Sequence, residues 1–276
     1  MTVQWFPGHM AKARRELQAR LPQVDFVLEI ADARVPAASR NPDLAELLAG
    51  KLHLLVLNKA DLASPPVTAE WLRTVRGQGI EAVAFSAHLD RRQKLLQPIR
   101  KLASQAAVFN DLRVLVAGIP NVGKSAVINK LVGRRRAIVG AKPGVTRSQQ
   151  WIRAGKNLII LDTPGILWPK FSDQETGYKL AAVGAIRAEI LPQEEISLWL
   201  GQQLQEQAPL VLETTYDLES SDVSSILPGI AQRRGLYLSG GKLDTARAAA
   251  LLLREFQQGK LGRISLERPR EKETDL

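Results

Sequence analysis

A glycine-rich segment, Gly118–Ser125, lies between an apolar run at Leu112–Ala117 and a stretch with helical spacing. Its glycines have no Cβ, so backbone N–H groups can turn inward around phosphate oxygens. The Lys124 ammonium can reach the terminal phosphates of a nucleotide, and the Ser125 hydroxyl can be a ligand of Mg²⁺. This pattern predicts a P-loop. Its nucleotide-contacting residues are expected to be Asn121, Val122, Gly123, Lys124, Ser125 and Ala126.

Two short motifs that follow other apolar runs indicate which base the nucleotide carries. In Asn58-Lys59-Ala60-Asp61, the Asp61 carboxylate can accept two hydrogen bonds from the N1–H and amino groups of guanine. Adenine presents no such pair of donors, so the motif predicts GTP rather than ATP. Asn58 and Lys59 are expected to tie this loop to the P-loop and to cover the base. Ser86-Ala87 would add a second base contact, with the Ala87 N–H facing the guanine O6.

Two further motifs could act on the terminal phosphate and on the metal ion. Asp162 can hold Mg²⁺ through water, and the Gly165 N–H can meet the γ-phosphate. Thr146 is the expected second Mg²⁺ ligand, on a switch loop that becomes ordered around the γ-phosphate. Each short pattern alone could be a plain turn. Five of them, each at the carboxyl end of a predicted strand, favour a guanine-nucleotide site in which Lys124, Thr146 and Gly165 act on the phosphates.

The elements that position these motifs are predicted from apolar periodicity. Six apolar runs are predicted strands, at 26–30, 52–57, 82–85, 112–117, 149–154 and 157–161. Runs of this kind separated by helical segments indicate parallel strands covered on both faces. The expected architecture is therefore an α/β P-loop GTPase fold with a mostly parallel six-stranded sheet, followed by a smaller all-α domain. The expected divisions are a nucleotide-binding domain with an N-terminal helix at 1–173, a helical domain at 174–266 and a disordered tail at 267–276.

The motifs follow an unusual order along the chain. In the familiar arrangement the P-loop comes first and the base-reading motifs come last. Here the base-reading motifs, 58–61 and 86–87, precede the P-loop, Thr146 and Asp162. The motifs keep the same cyclic order, but the chain begins at a different point of that order. This predicts a circular permutation. One consequence is that the second switch, at Asp162–Gly165, runs directly into the helical region.

Composition limits the compartment and the partners. The chain has 276 residues, no cysteine and a net charge of +10, with +13 over residues 1–173, −7 over 174–230 and +4 over 231–276. The absence of cysteine excludes disulfides and thiolate metal sites. The sequence has no apolar stretch long enough to span a membrane and no apparent secretory signal, so a cytoplasmic protein is expected. The basic parts favour a polyanionic partner, although solvated helix faces could also account for such charge.

Several longer segments resemble a known family, the circularly permuted bacterial GTPases called ribosome biogenesis GTPase A (YlqF). The segments are Trp5–Ala13, Asp32–Pro42, Asp162–Lys170 and Gly259–Gly262. The resemblance covers about residues 3–267. It implies a GTPase that acts in late maturation of the large ribosomal subunit, binds the subunit precursor and its rRNA in the GTP state, and leaves after hydrolysis. The helical domain at 174–266 would be its RNA- or ribosome-binding domain, and a monomer is expected.

Hydrolysis would need a group that the usual position lacks. Small GTPases orient the attacking water with a glutamine after the Asp-x-x-Gly turn, and Ile166 occupies that position here. A low intrinsic rate and activation by the ribosomal subunit are therefore expected. The resemblance points to His9 as the catalytic replacement, although His9 could instead cap or pack beside its helix. Asn121 resembles the asparagine that coordinates a monovalent cation in some related GTPases, so K⁺ is a further expected cofactor.

Two basic clusters are candidate RNA contacts. The first flanks the first switch, and the second lies on the final helix. The clusters are Arg134–Arg136 with Lys142 and Arg147, and Arg247 with Arg254 and Lys260. The alternative function is an RNA-binding assembly scaffold in which the nucleotide is mainly a structural ligand. A permuted GTPase in translation or stress signalling is a third possibility. The complete set of predicted phosphate and Mg²⁺ residues argues against the scaffold.

Overall fold

The structure of the protein is a computed structural model that describes residues 15, 17–48, 50–105, 111–133, 150–155, 157–163, 173–186, 192–218 and 222–269. Within these ranges the chain forms one six-stranded sheet and a set of helices. None of these helices is long and apolar enough to cross a membrane.

The sheet contains all six predicted strands. They are β1 (Phe26–Asp32), β2 (His53–Asn58), β3 (Glu81–Ala84), β4 (Leu112–Ala117), β5 (Gln150–Arg153) and β6 (Leu158–Asp162). Their order across the sheet is β3-β2-β1-β4-β6-β5, and each neighbouring pair is parallel except β5 with β6. Every residue of β1 is buried, which explains why the central strands are nearly continuous apolar runs in the sequence. The prediction of a mostly parallel six-stranded sheet is confirmed.

Helices cover both faces of the sheet. Those among the sheet strands are α1 (Pro42–Leu47), α2 (Pro65–Gly77), α3 (Gln93–Gln105) and α4 (Lys124–Val132). Successive residues of β1 point to opposite faces: Val27 packs with Leu17 and Leu44, whereas Leu28 belongs to the larger cluster that includes Val127. Burial on both faces fixes the register of each strand, because a one-residue slip would exchange the two faces.

The carboxyl ends of the parallel strands bring the predicted motifs to one edge of the sheet. β1 lies at the centre and pairs with β2 on one side and with β4 on the other. Asn58 ends β2, Gly118 follows β4 and Asp162 ends β6. Because these strands are parallel, the order of the motifs along the chain does not prevent them from sharing a single crevice.

The helical region follows the sheet. Its helices are α5 (Gln174–Ala182), α6 (Gln193–Gln207), α7 (Pro209–Tyr216), α8 (Ile226–Arg233) and α9 (Thr245–Gln257). The predicted helix near the C-terminus is present, since Asp244 caps α9 by accepting from the Arg247 N–H at 3.0 Å and Gly259 follows the helix with φ +73°. Leu180 of α5 and Leu252 of α9 belong to the same apolar cluster as Leu28, so the helical region packs onto the core of the sheet.

The chain after α9 returns to the sheet and corrects one expected boundary. Glu267 was expected to begin a disordered tail, but it is 9% exposed. Its carboxylate accepts a hydrogen bond from the Ala37 N–H at 2.8 Å, and its carbonyl accepts one from Trp71 Nε1 at 3.0 Å. The folded chain therefore extends past residue 266, and residues 270–276 lie outside the described residues.

Candidate functional site

The backbone of the P-loop has the shape that its glycines were predicted to allow. Gly118 and Gly123 both have positive φ values, +145° and +96°. A Cβ at Gly118 would collide with the carbonyl oxygen of Ile30, and one at Gly123 would collide with Nδ2 of Asn58. Asn121 also lies in the left-handed region, with φ +59°. The loop thus packs so closely on the neighbouring strands that only glycine fits at two of its positions.

Lys124 begins α4 and is buried inside the loop. Its Nζ donates hydrogen bonds to the carbonyls of Ile119 at 2.7 Å and of Gly118 at 3.1 Å. Burial lowers the pKa of Lys124 to about 8, and the nearby Asp162 carboxylate partly opposes this effect. The ammonium is therefore mostly charged at neutral pH and lies at the loop where phosphate is expected.

Asp162 ends β6 with its carboxylate buried and unsatisfied. The residue is 1% exposed, and neither carboxylate oxygen has a hydrogen-bond partner within the described chain. Burial raises the pKa of Asp162 to about 6, although the Lys124 ammonium opposes this rise. A buried carboxylate without partners is costly, and a divalent cation would offset that cost. Asp162 therefore fits the predicted Mg²⁺ site.

Asn58 connects the base-reading loops to the P-loop. Its Nδ2 donates to the Val122 carbonyl at 2.8 Å, and its Oδ1 accepts from the Ala87 N–H at 3.2 Å. The expected tie to the P-loop is therefore present for Asn58. The Ala87 N–H, which was expected to face the guanine O6, donates to Asn58 in this structure.

Lys59 has a different partner from the expected one. Its Nζ lies 2.9 Å from Oδ2 of Asp32, at the end of β1. Arg34 binds the same carboxylate through Nε at 3.0 Å and a terminal nitrogen at 2.8 Å. Burial alone would raise the pKa of Asp32, but the two cations lower it well below its ordinary value. Sequence reasoning missed this cluster as a site; the available signal was an Asp and an Arg two residues apart, directly after an apolar strand.

Asp61 has the property that guanine recognition requires. Its Oδ1 atom is buried and has no hydrogen-bond partner within the described chain. Ser86, which comes from the neighbouring loop, accepts the Leu89 N–H with its hydroxyl at 3.2 Å and so shapes the turn after β3. The unsatisfied Asp61 oxygen can accept a donor from a bound base.

The site also contacts the helical region directly. Asn121 Nδ2 donates to the Gly184 carbonyl at 2.9 Å, and a terminal nitrogen of Arg34 donates to the Val183 carbonyl at 3.1 Å. Both acceptors lie in the turn after α5. The P-loop and the end of β1 therefore hold the same two-residue turn.

Other predicted residues lie outside the described ranges. These are His9, Thr146, Gly165, Ile166, Arg134–Arg136, Lys142 and Arg147. The second basic cluster is described, and the side chains of Arg247, Arg254 and Lys260 are all exposed. Among the described residues, no group of three or more His, Cys, Asp or Glu side chains could hold a metal ion. This is compatible with an Mg²⁺ that is held by few protein oxygens.

Comparisons with known proteins show which proteins this chain resembles. Residues 113–206 match the family described as 50S ribosome-binding GTPase. The chain is 42% identical to ribosome biogenesis GTPase A of Priestia megaterium, with 100% of both chains covered. It is 37% identical to the protein of that name from Thermotoga maritima, over 97% of this chain and 95% of the relative.

A solved structure extends the likeness to the fold. The crystal structure of GNP-bound YlqF from T. maritima matches with a TM-score of 0.71 and 32% identity. The match covers 94% of this chain and 99% of that chain. Full-length sequence similarity and fold thus agree with the resemblance seen in the sequence, and the chain belongs to the ribosome biogenesis GTPase A family.

Proposed function

We propose that this protein hydrolyses GTP in late maturation of the large ribosomal subunit, binding the subunit precursor and its rRNA in the GTP state and leaving after hydrolysis. The observation that carries the nucleotide part lies in two side chains at the same edge of the sheet, Asp61 and Asp162. Oδ1 of Asp61 and both carboxylate oxygens of Asp162 are buried without a hydrogen-bond partner in the described chain. One suits the donors of guanine, and the other suits a hydrated cation. The ribosomal part is supported by the names of relatives, ribosome biogenesis GTPase A and mitochondrial ribosome-associated GTPase 1.

Selection of GTP follows from the base loop. The Asp61 carboxylate would accept the guanine N1–H and amino group, a pair that adenine does not offer. Asn58 holds this loop to the P-loop through Val122 and to the second base loop through Ala87. The base contacts and the phosphate contacts would therefore form as one unit.

The phosphates and the metal would be held by the P-loop edge. Backbone N–H groups of Asn121–Ala126 and the Lys124 ammonium would bind the phosphates, and Ser125, Thr146 and Asp162 would hold Mg²⁺. When bound, Mg²⁺ supplies positive charge that stabilises the charge developing on the phosphoryl oxygens. The Gly165 N–H would orient the γ-phosphate. K⁺ beside Asn121 would add further positive charge at the same place.

Water attack would depend on a group outside the second switch. Ile166 can neither donate nor accept a hydrogen bond, so it cannot orient water. The His9 imidazole would take that role, and the subunit would bring it into place. We therefore expect a low intrinsic rate of hydrolysis and stimulation by the subunit.

Binding to RNA is supported by charge and exposure. Arg247, Arg254 and Lys260 project from α9 and the turn after it, and all three are exposed. Phosphate contacts by such residues supply affinity that falls with rising salt. The cluster at Arg134–Arg136, Lys142 and Arg147 would order the first switch on the same partner.

The test is GTP turnover by the monomeric protein with and without purified large subunits, read together with co-sedimentation. We expect turnover to rise with subunits, and co-sedimentation to occur with a non-hydrolysable GTP analogue and not with GDP. Binding without any stimulation would favour the alternative, an assembly scaffold for which the nucleotide is a structural ligand. Neither stimulation nor GTP-dependent binding would contradict the proposal as a whole.

A further inference from the structure

The segment after α9, Gly259–Glu267, lies along the loop that contains the base-reading motif. We call this segment the C-terminal strap and residues Lys59–Ser64 the base loop. The Ile264 N–H donates to the Leu62 carbonyl at 3.0 Å, and the Ser64 N–H donates to Oγ of Ser265 at 3.1 Å. The two segments are about 200 residues apart in sequence, so the fold alone brings them together.

Arg263 donates hydrogen bonds to the base loop on both sides of Asp61. Its Nε donates to the Ala63 carbonyl at 3.1 Å, and a terminal nitrogen donates to the Ala60 carbonyl at 2.9 Å. The guanidinium is planar and rigid, so two bonds from one group fix the separation and the direction of the two carbonyls. Asp61 and Leu62 lie between them in the chain.

The Asp61 side chain indicates what these two hydrogen bonds could do. Its Oδ1 is buried without a partner in the described chain, so no side-chain contact to that atom holds it in place. The direction of the carboxylate then depends on the backbone that carries it. We infer that Arg263 is a positioning residue for guanine recognition, which fixes the base loop so that Asp61 faces the base. This inference rests on the proposed binding of guanine nucleotide.

Replacing Arg263 should leave the strap in place, because other contacts hold it. The Leu266 N–H donates to the Arg34 carbonyl at 2.8 Å, and the Glu267 carboxylate accepts from the Ala37 N–H at 2.8 Å. Gly259 passes so close to Leu62 that a Cβ would lie 2.5 Å from its Cδ2 atom. The Arg263 side chain is itself partly exposed, so a glutamine there creates no buried cavity.

The experiment compares R263Q and R263K with the matched control R268Q. Arg268 follows on the same segment, but its side chain is 69% exposed and pairs with Glu70 of α2 at 3.6 Å. Affinity for a fluorescent GDP analogue is measured on the full-length protein, and thermal unfolding without nucleotide confirms the fold. We expect R263Q to weaken GDP binding about tenfold, since two charge-assisted hydrogen bonds are lost. R263K keeps a charged donor and should recover part of that loss, and R268Q should stay within about twofold.

Competition with inosine diphosphate separates positioning from a general structural effect. Inosine lacks the exocyclic amino group, so Asp61 can receive only one of its two hydrogen bonds. If Arg263 acts through Asp61, R263Q must lose more affinity for GDP than for inosine diphosphate. Equal losses for both nucleotides, or a GDP affinity equal to that of R268Q, would overturn the inference. Wild-type protein that binds no GDP would instead contradict the proposed function, on which the inference rests.

Discussion

Lys59 and Asp32 form an ion pair, with Nζ 2.9 Å from Oδ2, where β1 and β2 end side by side. Asp32 is fully buried, and Arg34 occupies its other side with only 1% exposure. One carboxylate therefore pairs with two cations at the start of the base loop. The cluster links the base-reading motif to the helical region, because Arg34 also donates to the Val183 carbonyl.

Replacing Asp32 by asparagine should therefore destabilise the protein strongly. The change leaves the buried Arg34 and the partly buried Lys59 without a counter-charge. Loss of one partner of a buried ion pair typically costs about 3–5 kcal/mol in the free energy of unfolding. Urea unfolding at neutral pH measures this loss. The control is Glu81→Gln, whose ion pair with Lys101 is largely exposed and should be worth about 0–1 kcal/mol. Similar losses in the two variants would contradict the electrostatic account of the cluster.

Asp162 makes stability depend on pH when Mg²⁺ is absent. Its folded-state pKa is raised to about 6 from an ordinary 3.8, mainly by burial, so the folded state holds a proton that the unfolded state has released. Stability must then fall as the pH rises from about 4 to about 6. Asp162→Asn removes this contribution and should stabilise the Mg²⁺-free protein at pH 7.5 relative to wild type, with a smaller difference at pH 4.

Urea unfolding in EDTA at the two pH values tests this prediction. Asp217→Asn is the control, because Asp217 is exposed and asparagine tolerates its left-handed backbone. Adding Mg²⁺ should stabilise wild type and not Asp162→Asn. A pH dependence that survives in Asp162→Asn would show that another group titrates.

Gly123→Ala should abolish tight nucleotide binding through a collision. Its Cβ would meet Nδ2 of Asn58 and break the contact to Val122, in addition to straining a backbone with φ +96°. Gly241→Ala is the matched control for Gly123→Ala, since Gly241 also has a positive φ, +78°, but a Cβ there would meet nothing within 4 Å. Both variants carry the backbone strain of about 1 kcal/mol, but only Gly123→Ala should lose tenfold or more in GDP affinity. Equal affinities would contradict the close packing of the P-loop on Asn58.

His9→Ala tests the proposed orientation of water. With large subunits present, kcat should fall at least tenfold, which is the lower range for the loss of a group that handles the water. GDP affinity should remain nearly unchanged, and it serves as the control for folding. An unchanged kcat with subunits would exclude the catalytic role of His9.

Asn121 provides a test of the monovalent cation. GTP turnover should be faster in K⁺ than in Na⁺ at equal ionic strength, and Asn121→Ala should remove the difference. Since Asn121 also donates to the Gly184 carbonyl, its replacement should be checked by thermal unfolding. Equal rates of the wild type in the two salts would exclude K⁺ as a cofactor.

The sequence predicted the parts of the site that depend on short-range pattern. Gly118, Gly123 and Lys124 follow a strand at fixed spacing, and burial of both sheet faces makes such a strand visible as an apolar run. The partner of Lys59 was not predictable in this way, because Asp32 and Lys59 meet only through the pairing of β1 with β2. The order of the sheet was not available from periodicity.

Arg263 and Glu267 show the same limit more sharply. Glu267 begins a charged segment that is typical of a solvated tail, and this prediction was wrong at Glu267. Their partners, Ala60 and Ala37, lie at least 200 residues away, and backbone carbonyls and N–H groups carry no residue-type signal. Only the folded chain reveals that these contacts exist.

The C-terminal strap has a consequence for protein synthesis. The base loop leaves the ribosome early. Arg263, which donates hydrogen bonds to that loop, is made 203 residues after Ala60. A chain that ends before residue 263 would contain every nucleotide motif and still lack the bonds that hold the Asp61 loop. The guanine site is thus completed only after residue 263 has been made, so products terminated before it would be poor competitors for the nucleotide.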